Sequence, residues 1–540
     1  MDDRIFITFD DMENLSDLLV EAGVASSFER SELHSMWLHL QNALKDLPPG
    51  NLERSKSLEL FSLRRIDDAI ELEWRLIGMT TIYPGMKSAE FTENIDKSPN
   101  YKKAMMRIKV WKALKALICE DGPEKSGWLI ISQDKKGRKA LQLRWREDIK
   151  VGWGGFVVVT LDATQDEQVV SPYFDRPLQQ LPSSNVALEH VSVLQVVDRS
   201  FGASSLIPDG GKDDQRRKNR AWETYQWIWL RAIQYRGQSQ DGIDVLVVCQ
   251  LGLEELFRAW GLPDNVDITH FNALRGLDNW GGVACQITIG RLMPKPTAVE
   301  DIAEALTGRA VDKRLSPNDW YPKQTVGIRL ADGSGWAVEN DRHPDPLAEK
   351  IRYQICEGEL IQAIGRSRGV NRSPETPLQI DILTNVCLLL VVHQPIRWAE
   401  HAPGIVEAML SRGLMVGSFK DAAVISADLF PTEDAARKAV WRRSKILTSN
   451  VPIPDIPHYV CTIWGLSGIG ITIAHSFTPA LATFRRGERS TVIPVIFDPH
   501  RIDDPAAWLS SRLDVDVQVI TGPEANVEWA IRQKRKAGRK

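Results

Sequence analysis

The chain has 540 residues, of which 43% are hydrophobic and 26% charged, and its 67 Lys and Arg against 71 Asp and Glu give a formal net charge of -4. This composition excludes a collagen-like or generally disordered chain, and the length predicts about three to five domains. The longest apolar runs are far shorter than the ~20 residues of a membrane-spanning helix. Because the charge is balanced, a polyanionic partner would have to be met by local basic patches.

Neither the first residues nor the cysteines indicate export or a metal centre. The chain opens with Met1-Asp2-Asp3-Arg4, which is acidic and polar, unlike a secretion signal. The six cysteines contain no C-x-x-C pair and no matching pair of histidines. We therefore expect a cytoplasmic protein with neither a disulfide framework nor a metal site.

Residues 1–150 are predicted to form helices followed by a hairpin. Leu15–Leu19, Leu38–Leu47 and Lys102–Lys115 place apolar residues three and four apart, as amphipathic helices do. Strand-like runs flank Asp134-Lys-Lys-Gly137, where the glycine relaxes a turn.

From Phe156 the sequence alternates between strands and helices. Phe156–Leu161 is a continuous β-branched run, typical of a strand buried on both faces of a parallel sheet. Further strands are predicted at 244–249, 266–271, 285–289, 378–383 and 386–392, with a long helix ending near Arg368. This alternation predicts a layered α/β domain.

Beyond His401 the pattern becomes α+β. Helices are predicted at 405–411 and 432–443, and strands at 492–497 and 515–520. The segment Arg532–Lys540 holds six cations in nine residues, which we interpret as a solvated tail, with polyanion binding as the alternative.

The densest group of functional side chains closes the long helix. Gln362, Gly365, Arg366, Arg368 and Arg372 follow one another within eleven residues. Arginine suits bidentate, permanently charged contact with phosphate, and a glycine permits close packing of the backbone. Arginines two residues apart point in different directions, so one could meet phosphate while the other holds the fold. Pairing with surface acids is the alternative.

The run Gln362-Ala-Ile-Gly-Arg-Ser-Arg368 resembles the last motif of superfamily 2 helicases, Q-x-x-G-R-x-x-R or Q-x-x-G-R-x-R. Residues 156–395 are similar in motif order to the second motor lobe of these enzymes, especially the divergent helicase halves of phage and plasmid primase-helicase proteins. The resemblance implies a RecA-like lobe in which Gln362 and the arginines face ATP. It also implies that Arg366 or Arg368 is an arginine finger, with Gly365 and Arg372 beside the nucleotide.

Two further segments lie where the resemblance would place them. His270–Asn279 resembles the loop that couples strand contact to the nucleotide, and Asp162-Ala-Thr164 resembles the D-A-T or S-A-T motif that links hydrolysis to unwinding. For the second segment, an ordinary small-residue turn is the alternative. The resemblance implies that Asp162 lies at the nucleotide and that the strand is contacted by Thr164, His270, Asn272, Arg275, Gly276 and Asn279.

The sequence departs from the family at the phosphate-binding loop. It contains no G-x-x-x-x-G-K-[ST], and Gly465–Thr472 lacks the lysine that reaches the β- and γ-phosphates. Ile5–Asp11 is the nearest candidate for a magnesium-holding acid, with a helix N-cap as the alternative. ATP and Mg²⁺ are therefore expected only if another segment completes the site.

Two groups could add nucleic-acid contacts. Arg437, Lys438 and Arg442 lie on the predicted helix after Thr432, within a segment of winged-helix-like character, although core packing is the alternative. Trp222, Trp227 and Trp229 follow the basic run Arg216–Arg220 and could stack on bases, but anchoring a helix against the sheet is the favoured interpretation.

These observations predict four regions. Residues 1–150 are a helical and hairpin remnant or insertion of a first motor lobe, and 151–200 are its last strand and the inter-lobe linker. Residues 201–400 are the second RecA-like lobe, and 401–540 are an α+β accessory domain.

The predicted function is the motor half of a helicase or ATPase (a hydrolase) in plasmid or phage DNA replication. Its partners would be single-stranded DNA and an upstream primase-helicase polypeptide, and it would not hydrolyse ATP alone. The alternative is an ATPase-dead single-strand-binding protein.

Overall fold

The computed structural model describes most of the chain. The described residues are 5–8, 27–76, 87, 99–133, 136–147, 149, 157–160, 162, 164–174, 176–181, 188–239, 242–403, 409, 412–427, 429–438, 480–486, 492–497, 499 and 502–521. The chain divides into two compact units, the first comprising Met1–Leu181, Pro294–Pro322 and Asp341–Gln354, and the second comprising Pro182–Met293, Lys323–Asn340 and Ile355–Lys540.

The strands, in chain order, are β1 (Ile5–Thr8), β2 (Gly50–Glu53), β3 (Lys125–Gln133), β4 (Lys139–Leu143), β5 (Val191–Val196), β6 (Val245–Cys249), β7 (Val266–His270), β8 (Cys285–Ile289), β9 (Lys323–Arg329), β10 (Gly335–Asp341), β11 (Leu378–Leu383), β12 (Gln394–Ile396), β13 (Leu414–Val416), β14 (Ala480–Arg485), β15 (Ile493–Phe497) and β16 (Gln518–Thr521). The α-helices are α1 (Ser27–Lys45), α2 (Arg54–Leu60), α3 (Leu63–Leu76), α4 (Pro99–Ile118), α5 (Glu167–Val170), α6 (Ala203–Leu206), α7 (Asp214–Gln234), α8 (Leu251–Trp260), α9 (Pro296–Thr307), α10 (Pro346–Tyr353), α11 (Glu359–Ile364), α12 (Trp398–His401), α13 (Phe419–Ile425) and α14 (Pro505–Leu513). A π-helical turn lies at Gln354–Gly358, and 3-10 turns lie at Ser171–Tyr173, Gly365–Ser367 and Gly369–Asn371.

In the first unit, helices pack on an antiparallel sheet with strand order β1-β4-β3-β2. Trp37 of α1 and Trp111 of α4 are fully buried with ring centroids 4.8 Å apart, and Trp37 Nε1 donates to the buried Glu73 at 2.9 Å. The predicted helices at 38–47 and 102–115 are confirmed, and the antiparallel pairing of β3 with β4 confirms the hairpin. Local periodicity and turn chemistry were sufficient to predict both features.

The second unit contains a six-stranded parallel sheet with strand order β12-β5-β11-β8-β6-β7. Its central strands are buried on both faces, and every residue of β6 and β8 is buried. This parallel sheet confirms the predicted α/β class. The sheet is compatible with a Rossmann- or RecA-like fold. As favoured, the tryptophans of α7 pack against this sheet: Trp227 is 7% exposed, and Trp222 and Trp229 contact the same core.

The predicted strand at Phe156–Leu161 is wrong for the residues described. Residues 157–160 form no strand, and Val157, Val158 and Val159 are 92%, 49% and 71% exposed. A β-branched run forms a strand only where a neighbouring strand pairs with it, so propensity alone misled the prediction. The six-stranded sheet instead begins with β5, before the boundary predicted at 201.

A second sheet of the second unit has the antiparallel order β13-β15-β14-β16 and packs against α13 and α14 around Phe430 and Phe484. The strands predicted at 492–497 and 515–520 correspond to β15 and β16, so the predicted α+β character is present here. The predicted helix Leu15–Leu19, the acids Asp10 and Asp11, the glycines of Gly465–Thr472, Arg442 and the tail Arg532–Lys540 lie outside the described residues. No helix in the described part of the chain combines the length and hydropathy that crossing a bilayer requires.

Candidate functional site

The backbone changes geometry three times around the predicted arginine motif. The π-helical turn at Gln354–Gly358 precedes α11, and a 3-10 turn follows it over Gly365–Ser367. Arg368 then adopts a left-handed conformation at φ 52, which reverses the chain and ends the helix. This geometry presents Arg366 and Arg368 from a tight helix end, and non-glycine residues in left-handed conformations concentrate at functional sites.

The loop that follows β7 is bound to this helix through Glu359. The loop contains two left-handed residues, Asn272 at φ 70 and Gly276 at φ 78. The backbone N–H of Asn272 donates to Glu359 Oε1 at 2.8 Å, and Arg275 Nη2 lies 3.5 Å from Glu359 Oε2. The Glu359 side chain is 7% exposed, so both contacts are made with a largely buried carboxylate.

Both predicted finger arginines also contact the loop. Arg366 Nη1 donates to the carbonyl of Leu277 at 3.0 Å, and Arg368 Nε donates to Asp278 Oδ1 at 2.7 Å. The loop and helix-end residues in these contacts are 84 to 90 positions apart in the sequence. The structure therefore brings together the two motifs that the sequence predicted separately.

The charges at this contact are open to solvent. Arg368 and Asp278 are 42% and 64% exposed, and the hydrogen bond from Arg368 lowers the pKa of the Asp278 carboxyl. An exposed pair of this kind contributes little to stability because water and salt screen it. Arg368 can therefore exchange this carboxylate for another anion at low cost.

Arg366 has hydrogen-bonding capacity that the described residues do not use. Its Nε is buried, and no described acceptor lies within hydrogen-bond distance. A buried donor without an acceptor costs about 1–3 kcal/mol, and among the described residues the Nε atoms of Arg54, Arg146, Arg236, Arg342, Arg485 and Arg486 are in the same state. An anion bound beside Arg366 would remove this penalty.

The remaining residues of the arginine motif differ in their surroundings. Arg372 donates through Nε and Nη2 to the carbonyl of Ser367, at 3.2 and 2.6 Å, so it braces the turn, and burial lowers its pKa. Gln362 is half-buried one helical turn before Arg366. Gly365 has φ -62, and a Cβ at this position would meet no atom within 4 Å. The prediction that Gly365 allows close backbone packing is therefore wrong for this structure.

Most of the predicted strand-contacting loop is accessible. Asn272 and residues 275–279 are exposed, whereas Phe271 and Trp280 at its ends are buried and fix the loop to the core. His270 ends β7, and its Nδ1 lies 2.6 Å from Glu254 Oε2 of α8. His270 is thus held by an acid, while Asn272 and residues 275–279 after it are exposed to solvent.

Asp162 and Thr164 belong to the first unit and form a small polar turn. Asp162 Oδ1 accepts from the backbone N–H of Thr164 at 2.7 Å and from its hydroxyl at 2.8 Å, while Gln354 Nε2 donates to the Thr164 carbonyl. An open cavity of about 410 Å³ adjoins the turn and is lined by Thr160, Asp162, Gln165, Asp166, Val169, Val170 and Gln354. The geometry matches the small-turn alternative, and the role at a nucleotide stays a prediction.

The predicted basic helix after Thr432 is neutralised by its own acids. Arg437 Nη2 lies 2.6 Å from Glu433, and Lys438 Nζ lies 2.7 Å from Asp434. Each pair has i,i+4 spacing, which is usual on a solvated helix face. These cations would have to leave their partners to bind a strand.

Sequence reasoning missed the acids of the site. Glu359 and Asp278 both lie inside the predicted motifs, where carboxylates among arginines were the available signal, but nothing local shows which acid meets which cation.

In the described part of the chain, no cluster of three or more His, Cys, Asp and Glu side chains is arranged to hold a metal ion. Comparison of the chain with protein-family models and with curated proteins gives no match in either case.

Proposed function

We propose that this chain is the carboxyl-terminal motor half of a nucleic-acid-dependent ATPase or helicase that acts in plasmid- or phage-type DNA replication. The observation that carries the proposal is the contact of Arg366 and Arg368 with the loop Asn272–Asp278. A motor needs a physical link between the group that senses a triphosphate and the segment that grips a strand. The parallel sheet, which is compatible with a RecA-like lobe, supports the same proposal.

The arginines are suited to the γ-phosphate end of MgATP. An arginine finger stabilises the charge that develops on the transferring phosphoryl group. Arg366 Nε has no acceptor among the described residues, and Arg368 holds only an exposed carboxylate. Phosphate oxygens could accept from Arg366 Nε and could replace the Asp278 carboxylate at Arg368. Gln362 would lie one helical turn before Arg366, on α11.

The same contacts provide a route for coupling. When Arg366 and Arg368 turn toward phosphate, they release Leu277 and Asp278, so the loop becomes free to change its grip on a single strand. By linkage, a strand that holds the loop in its released form raises the affinity of the arginines for nucleotide. His270, Asn272, Arg275, Gly276 and Asn279 would supply the strand contacts.

The loop that holds the other phosphates comes, in this proposal, from an upstream segment or a partner polypeptide. The sequence has no G-x-x-x-x-G-K-[ST]. The exposed run Val157–Val159 supports the idea of a completing sheet, because three consecutive apolar residues suit a strand covered on both faces. Such a run can join the edge of another sheet by strand addition.

The second candidate is a single-strand-binding protein without ATP turnover, which the missing lysine loop favours. Strand-stimulated ATP hydrolysis separates the two functions. We expect none from the isolated chain and clear hydrolysis after the polypeptide encoded immediately upstream is added. Hydrolysis by the isolated chain would refute the completed-motor proposal, and no hydrolysis from the mixture would favour the binding protein.

A further inference from the structure

Three arginines meet at the carboxyl end of the parallel sheet, and none of them belongs to the motif helix or to the loop after β7. Arg199 follows β5 by three residues, and Arg216 and Arg220 lie in the first turns of α7, the long helix that comes after β5 and the short helix α6. Arg216 and Arg220 are four residues apart and so share one face of the helix. All three belong to the second unit.

This end of the sheet is where its strand order reverses. The connection from β5 passes β11 and β8 to reach β6, whereas the connection from β11 runs the other way to β12. In open parallel sheets, ligands bind outside the carboxyl ends of the strands at such a reversal. Arg199 lies directly after one of the two strands that flank it.

Glu223 brings Arg199 to the helix face that carries the other two arginines. Arg199 Nη1 is 3.6 Å from Glu223 Oε2, and Glu223 comes three residues after Arg220 on α7. Glu223 Oε2 also accepts from Trp398 Nε1 at 3.3 Å, so this oxygen is shared between Arg199 and Trp398. Partial burial and the neighbouring charges of Arg216 and Arg199 lower the pKa of Arg220, although Glu223 and Asp213 oppose the shift.

The cluster has more positive charge than its neighbours offset. Arg217, one residue along, lies 2.5 Å from Asp209 and 3.9 Å from Asp214. Among the described residues, neither Arg216 nor Arg220 has a carboxylate within 4 Å. The three guanidinium groups outnumber the two nearby carboxylates, Glu223 and Asp213, and an excess of positive charge attracts anions.

The backbone that positions Arg199 is fixed. Its guanidinium carbon lies 5.7 Å from the ring centroid of Phe201, which is fully buried and adopts φ 50. Gln250 Nε2, at the end of β6, donates to the Phe201 carbonyl at 3.3 Å, and a Cβ on Gly290 would lie 2.3 Å from the same carbonyl oxygen. The loop after β5, which carries Arg199 and Phe201, is therefore packed closely against the ends of β6 and β8.

We propose that Arg199, Arg216 and Arg220 form a phosphate-binding site that holds the phosphate groups of a nucleic-acid strand or of a nucleoside polyphosphate. Guanidinium groups are the side chains best suited to bidentate contact with phosphate oxygens. The site uses neither Arg366 nor Arg368, so it does not depend on the proposed ATPase function.

Two probes distinguish the sources of phosphate. Fluorescence anisotropy measures binding of a fluorescein-labelled single-stranded oligothymidylate, and calorimetry measures binding of ATP, each with the full chain. The test variant is Arg216→Gln with Arg220→Gln. The matched control is Lys218→Gln, an exposed cation of the same helix that points to another side. Arg199→Gln gives an independent test if the double variant does not fold.

We expect the double variant to lose about tenfold or more in affinity for one probe, as expected when charge-assisted hydrogen bonds are removed. If the oligonucleotide is the ligand, the salt dependence of log K should also flatten by about 0.7 per lost phosphate contact. Loss for ATP alone would identify a nucleotide site. The proposal would be overturned if the wild-type chain bound neither probe. It would also be overturned if the double variant bound both probes with the same affinities as Lys218→Gln.

Discussion

Arg368 Nε lies 2.7 Å from Asp278 Oδ1 and so joins the end of the motif helix to the loop after β7. In the proposed motor, the Asp278 carboxylate is bound to the Arg368 guanidinium, which would otherwise contact a phosphate. Asp278 therefore competes with the triphosphate, and the strength of that competition depends on the ionisation of Asp278.

The first prediction concerns pH. Arg368 lowers the pKa of Asp278, so the contribution of the pair to stability is present above the ordinary aspartate pKa of about 3.9 and is lost as the pH falls through the lowered value. Because the pair is exposed, the urea midpoints of the wild type and Asp278→Asn should differ only slightly at pH 7 and should converge as the pH falls below the lowered pKa of Asp278. A difference that grows on acidification would contradict the assignment.

The second prediction concerns Glu359, the buried acceptor of the loop. Glu359→Ala leaves the Asn272 N–H without its acceptor, which should cost about 1–3 kcal/mol of local stability. Hydrogen exchange of residues 271–280 should speed up, while exchange in β6 stays slow. Arg275→Gln is the control, because the Arg275 side chain is 71% exposed and its contact is long at 3.5 Å. Equal exchange in both variants would show that Glu359 does not hold the loop.

The third prediction compares two glycines. Gly365→Ala should fold normally and raise the free energy of unfolding by about 0.4–1 kcal/mol, because φ is -62 and the space is open. Gly290→Ala should destabilise by more than that, since φ is 71 and its Cβ would lie 2.2 Å from Gln250 Nε2. Denaturant unfolding checks both. If Gly365→Ala stays folded but loses strand-stimulated ATP hydrolysis when it is mixed with the upstream polypeptide, a ligand rather than the fold needs the glycine.

The fourth prediction concerns the exposed valines. Val157→Asp with Val159→Asp should leave the stability of the isolated chain unchanged, because both side chains are mostly exposed. It should abolish assembly with the upstream polypeptide, because a strand with charged residues does not enter a sheet covered on both faces. Leu389→Asp is the control, since Leu389 is 86% exposed elsewhere in the chain. Size-exclusion chromatography of the mixtures measures assembly, and assembly of the valine variant would contradict the role of the run.

The sequence predicted those parts of the fold that local pattern determines. The amphipathic helix around Trp111, the β3–β4 hairpin and the buried strands β6 and β8 all follow from spacing and composition. The strand β5 was missed because Gln195 interrupts its apolar run. In the structure that side chain is 1% exposed and donates to the carbonyls of Thr384 and Val386.

The candidate site was predictable only in part. The arginine motif is visible in sequence as a dense run of cations at a helix end, and the pairing of Arg368 with Asp278 is the alternative use, contact with a surface acid, that the sequence left open. The partners of Arg366 and Arg368 were not predictable, because Leu277 and Asp278 are 89 and 90 residues away and only the folded sheet brings them close. Likewise, the cluster of Arg199 with Arg216 and Arg220 depends on the crossover from β5 to α7.

The most direct test of the account is strand-stimulated ATP hydrolysis by the chain mixed with the polypeptide encoded upstream, measured for the wild type, Arg366→Ala and Arg368→Ala. We predict hydrolysis by the wild-type mixture and a loss of about three or more powers of ten in at least one arginine variant, with strand binding retained. Hydrolysis that is undiminished in both variants would contradict the claim that these arginines act on the triphosphate.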